Sequence, residues 1–68
     1  MRLVVIRAGE EGRWLAECPS LPGCVSQGAR RDEAVFSIKD AIRAYIDALE
    51  ADRLPVPPEK FDTLLIAV

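Results

Sequence analysis

Read for alternation, the chain opens on Arg2 to Arg7, Arg-Leu-Val-Val-Ile-Arg, in which Leu3 and Val5 fall on one side of an extended backbone and Val4 and Ile6 on the other. β-Branched residues dominate it and the glycine-containing segment Ala8 to Gly12 closes it, so a strand is expected. Both of its faces are apolar, which predicts cover on each. Arg13 to Cys18 reads as the second strand of a hairpin, with Trp14, Ala16 and Cys18 on one face and Leu15 and Glu17 on the other. Trp14 suits either a core or an interface. Next comes Pro19-Ser-Leu-Pro-Gly23, where two prolines fix φ and the glycine permits a positive one. That segment is a tight turn, and Cys24 to Gln27 follows as a short third strand.

Beyond Gly28 the period changes. Val35, Ile38, Ala41, Ile42, Tyr45, Ile46 and Leu49 recur at steps of three and four, which predicts a helix from about Arg31 to Ala51 with one buried stripe. Lys39, Asp40, Arg43, Asp47 and Glu50 fall opposite, and Arg43 and Asp47 are spaced for an i,i+4 pair. Leu54-Pro-Val-Pro-Pro58 must run extended, as a stiff return to the sheet or as a docking strip. In the last stretch, Phe61 to Val68, Leu64, Ile66 and Val68 alternate with Thr63, Leu65 and Ala67, a pattern that suits a final strand at an inner position or an interface.

The expected fold is therefore α+β, a two-layer β-β-β-α-β arrangement. A right-handed crossover lays the last strand parallel to the first, giving a mostly antiparallel sheet of order 3-2-1-4 with the helix on one face. This is part of a ribonuclease-H-like architecture. One helix shelters one face, so the surplus apolar strand predicts self-association, as a homodimer or higher, through the open sheet face or the last strand.

Composition narrows the function. A chain of 68 residues is a single small domain, 1–68, and its 50% hydrophobic content exceeds what so small an interior can hold. A net charge of −2 gives no positive field for nucleic acid, so direct binding to it is not expected. No apolar run suits a membrane span and no signal peptide is apparent, which predicts a cytoplasmic protein. Cys18 and Cys24 flank the proline turn; reduced thiols are expected, with a disulfide as the alternative in an oxidising compartment. The chain has no histidine, no carboxylate on its first strand for two-metal chemistry and no glycine-rich phosphate loop. No enzyme, metal site or cofactor is expected. Arg30-Arg31 is an adjacent basic pair, opposed by Asp32 and Glu33.

The ordered residues Pro19, Leu21, Pro22, Gly23, Cys24, Gly28, Glu33 and Ala34 carry a resemblance to the N-terminal domain of HicB-type antitoxins. Where members of that family commonly place a hydroxyl helix cap, this chain has Arg30. The resemblance implies a toxin-neutralising domain whose partner is a small, basic, HicA-type toxin that cleaves mRNA with a histidine and is masked by protein–protein contact. Many members add a C-terminal DNA-binding domain, which is not expected here. The alternative is a stand-alone oligomeric module that binds another protein or a ligand. For either, the expected contacts are residues exposed at the acidic loop and proline turn: Glu10, Glu11, Glu17, Ser20 and Leu21.

Overall fold

The computed structural model describes residues 1–62, 64, 66 and 67. Its sheet has three antiparallel strands, β1 (Val5–Ala8), β2 (Trp14–Glu17) and β3 (Val25–Gly28), in the order β1-β2-β3. The register sets Val5 opposite Glu17 and Ala8 opposite Trp14, then Trp14 opposite Gly28 and Glu17 opposite Val25. The single helix, α1 (Arg31–Ala51), lies across one face. Its limits match the periodic stripe, but Arg43 and Asp47 do not form the ion pair their spacing allows.

The core is small and continuous. Ala16, Cys18, Leu21, Cys24, Ala34 and Ile38 are buried, and Val4, Ile6, Trp14, Ala41, Ile42, Tyr45 and Ile46 pack around them. Trp14 thus faces the helix side of the sheet. The opposite face alternates Val5, Leu15 and Val25 with Arg7, Glu17 and Gln27, so it is half polar rather than a bare apolar surface.

Helix α1 stops at a full Schellman turn. Leu54 N–H donates to Leu49 O at 2.9 Å and Arg53 N–H to Glu50 O at 3.1 Å, with Arg53 held at φ 56° where glycine is usual. The proline segment then returns the chain to the start of β1. Leu3 N–H donates to Glu59 Oε2 at 2.7 Å, which ties the two ends of the chain together. Continuing the β1–β2 register by two residues sets Leu3 opposite Pro19, which has no N–H to give to a ladder. The ladder therefore begins at Val5 rather than at Arg2.

The expected last strand is not part of the sheet among the described residues. Phe61, Asp62, Leu64, Ile66 and Ala67 carry no strand pairing, while Thr63, Leu65 and Val68 lie outside the described residues. What the fold supports is α+β with β1, β2 and β3 in sequence and one covering helix.

Candidate functional site

The proline turn is built from its backbone outward. Cys18 N–H donates to Cys24 O at 3.0 Å, Leu21 N–H to Cys18 O at 3.1 Å, and Cys24 N–H to Leu21 O at 3.0 Å. These bonds roll the turn inward and drive Leu21 into the core, where it is 0% exposed. Gly23 completes the bend at φ 79°, a conformation that side chains resist. From the helix, Tyr45 Oη donates to Pro22 O at 2.9 Å and clips the turn to α1.

The second half of the motif is a close approach. A Cβ on Gly28 would stand 2.6 Å from Ala34 N and 2.8 Å from Glu33 Cβ, so only glycine lets β3 run this near the first turn of α1. Ala34 is small and wholly buried at that contact. Arg30, at the N-cap position, makes no side-chain cap. Glu33 supplies part of what is missing: its carboxylate accepts from Ala29 N–H at 3.1 Å and lies 3.3 Å from Arg30 Nε. Seven of the eight motif residues, Leu21, Pro22, Gly23, Cys24, Gly28, Glu33 and Ala34, thus shape the turn or hold the sheet to the helix. Their role is architectural.

Cys18 and Cys24 are unbridged and buried. Burial pushes the Cys24 thiol above its ordinary pKa, and the neighbouring Cys18 adds to the shift. A protonated, enclosed thiol is a poor nucleophile and a poor metal ligand.

The expected contact residues separate into two ends and a face. Glu10 and Glu11 sit on a short 3₁₀ turn, Glu10–Gly12, at one end of the β1–β2 hairpin, and Glu11 has φ 58°. Both are exposed. Glu17 is exposed on the sheet face away from α1, beside an open groove of about 410 Å³ lined by Val5, Arg7, Leu15, Val25 and Gln27. None of these three glutamates has a basic group within ion-pairing distance; the ion pairs among the described residues belong to Arg30. The turn end is different. Leu21 was expected at the surface and is not there: the inward-rolled turn makes it core. Ser20 is half-buried in a polar knot, donating to Glu59 Oε2 at 3.2 Å and accepting from Arg2 Nη1 at 3.1 Å.

Sequence reading missed Glu59, the centre of that knot. Its carboxylate accepts from the backbone N–H groups of Leu3, Lys60 and Phe61 and from the Ser20 hydroxyl. These donors, Leu3 first, hold its pKa below the ordinary glutamate value. The sequence held no direct signal for it: Pro19 opposite Leu3 withholds an N–H from the Leu3 carbonyl and says nothing of what accepts the Leu3 N–H.

Comparison with known proteins adds a family to this geometry. Residues 3–67 match the profile described as a HicB-like antitoxin of a bacterial toxin–antitoxin system. The chain is 36% identical over 63 residues to a UPF0150 protein of Thermoplasma acidophilum, covering 93% of this chain and 91% of that one. It is 43% identical over 56 residues to a UPF0150 protein of Synechocystis, covering 82% and 71% of the two chains. With a UPF0150 protein of Helicobacter pylori it shares 50% identity over 50 residues, 74% of this chain and 68% of the relative. No solved structure matches it.

Proposed function

Because this chain belongs to the HicB-like antitoxin family of bacterial toxin–antitoxin systems, we propose that it inhibits a small, basic, HicA-type ribonuclease toxin by covering its RNA-binding surface. What supports the reading is the set of exposed carboxylates that form no intramolecular ion pair, Glu10 and Glu11 at the hairpin end and Glu17 on the open sheet face, where Arg7 also lines the Val5–Leu15–Val25 groove. A basic partner meets that surface with charge complementarity, and the apolar strip supplies area from which water is excluded. Inhibition of this kind needs no reactive group on the antitoxin. It takes place in the cytoplasm, where the mRNA is. No helix among the described residues is long and apolar enough to cross a membrane.

Leu21 leaves the contact set because it is core, and Ser20 stays as a residue that positions the turn. The test is co-expression with a short, positively charged, histidine-containing protein encoded next to this one. Co-purification and rescue of growth support the reading. Failure of the neighbour to bind favours the second reading, a stand-alone self-associating module, which the exposed Phe61, Leu64 and Ile66 support.

A further inference from the structure

Extending the β2–β3 register by one position sets Cys18 directly opposite Cys24, and the Cys18 N–H to Cys24 O bond of 3.0 Å holds the pair there. Opposed residues of such a pair share a face and stand about 5.5 Å apart at Cα, within the span of a disulfide. Both thiols are buried in the core between sheet and helix. Their surroundings differ. Burial and the neighbouring Cys18 raise the pKa of Cys24 and keep it protonated, whereas Cys18 Sγ lies 3.6 Å from Ser20 Oγ. A serine hydroxyl has one proton to give and two lone pairs to accept with. Ser20 gives its proton to Glu59 Oε2 at 3.2 Å and accepts from Arg2 Nη1 at 3.1 Å, so in the contact with sulfur it is Cys18 S–H that donates. A chain of hydrogen bonds therefore leads from an enclosed thiol through Ser20 to a half-buried carboxylate. Ser20 and Glu59 also line an open groove of about 300 Å³ with Pro19, Pro58 and Lys60, which brings solvent to the oxygen side of that sulfur.

We propose that Cys18 and Cys24 form an oxidation site for a small peroxide, at which Cys18 is the attacking thiol and Cys24 resolves the product into an intrachain disulfide. The Cys18 sulfur attacks one oxygen of hydrogen peroxide and the O–O bond breaks. The thiol proton leaves through Ser20 and Glu59 and ends on the departing hydroxide, giving Cys18 sulfenic acid and one water. The Cys24 sulfur then attacks the Cys18 sulfur, the S–O bond breaks, and hydroxide departs with the Cys24 proton as a second water. Two thiols lose two electrons and one peroxide gains them. Face-to-face placement offsets the low nucleophilicity of a protonated Cys24. The bridge closes the proline turn covalently, at the segment that carries Leu21 into the core and Pro22 to Tyr45. This site stands apart from the toxin reading, and its failure leaves that reading in place.

The experiment treats the reduced full chain with hydrogen peroxide, alkylates the thiols that remain and weighs the tryptic fragment Trp14–Arg30, which holds both cysteines and excludes Met1. The expected fragment is lighter by two hydrogens and closed to alkylation, and the oxidised chain has a higher urea midpoint than the reduced one. Cys24→Ser should stop at one added oxygen on Cys18, captured by dimedone, whereas Cys18→Ser should leave Cys24 a free thiol. Ser20→Ala should slow bridging several-fold, and Ser20→Thr, which keeps the hydroxyl, should restore it. Two alkylated thiols after prolonged exposure to peroxide overturn the proposal. So does a dimedone adduct on Cys24 in Cys18→Ser with none on Cys18 in Cys24→Ser, since Cys24 would then be the attacking thiol. Bridging at an unchanged rate in Ser20→Ala overturns the proton route.

Discussion

Two apolar regions of this chain meet opposite fates. Among the described residues every buried one falls between Ala16 and Ile38, a stretch in which Val25 and Phe36 alone are large apolar residues left exposed, whereas from Leu54 to Ile66 four large apolar side chains, Leu54, Phe61, Leu64 and Ile66, stand at the surface. Hydrophobicity does not separate them. The difference lies in the backbone: the first region has turns whose N–H and C=O groups are answered within the chain, whereas the second is set on its course by prolines, a carboxylate latch and a left-handed residue. Turn hydrogen bonds aim Leu21 inward in the first region, while in the second the bonds to Leu49 and Glu59 hold the chain along the surface of the domain.

The largest expected effect lies in the first region. Leu21→Ala should lower unfolding stability by about 3 kcal/mol, seen as a shifted urea midpoint, because Leu21 is wholly enclosed. A loss below about 1 kcal/mol would mean that the turn is not core and the contrast drawn above is wrong. Gly28→Ala should cost about 2 kcal/mol, since the added methyl meets helix backbone at Ala34 rather than a movable side-chain tip. Moving to the boundary between the regions, Arg53→Gly should raise stability by about 1 kcal/mol by relieving the left-handed residue of the Schellman turn.

The smallest effect sharpens the second region through its pH dependence. The folded-state pKa of Glu59 is lowered, so the native chain binds fewer protons there than the unfolded chain. Its contribution is complete above the ordinary glutamate value and is lost as pH falls through the depressed folded value. Glu59→Gln should flatten stability against pH in that acid window and lower stability at neutral pH by the contribution that the carboxylate makes there. An unchanged acid limb would remove Glu59 as the latch.

Legibility in the sequence follows the same division. The helix was readable to its ends because a stripe of period 3.6 and a proline four residues past Ala51 leave few alternatives. The strands were readable in order and facing, with Trp14, Ala16 and Cys18 turned to the core, but the start of β1 was not. That boundary depends on which group answers the N–H of Leu3, and the answer, Glu59, is fifty-six positions away. Leu21 was misplaced because a residue flanked by prolines in a turn reads as surface, while three turn hydrogen bonds invert it. Phe61 to Val68 has the alternation of a strand, but alternation alone does not supply a pairing edge, and the described residues there carry none. Of the candidate contacts, the glutamates were legible as charge, and only the structure separates Glu10 and Glu11 at the hairpin end from Glu17 on the open face.

Titrating the purified chain into a basic ribonuclease of the toxin class proposed above, taken from a gene beside its own, while following RNA cleavage tests the central claim most directly. Cleavage should fall to background at a fixed stoichiometry, with inhibition weakened by salt and lowered about tenfold when Glu10, Glu11 and Glu17 are changed to lysine. Full inhibition by the lysine variant at low salt, or continued cleavage under an excess of the unaltered chain, would contradict it.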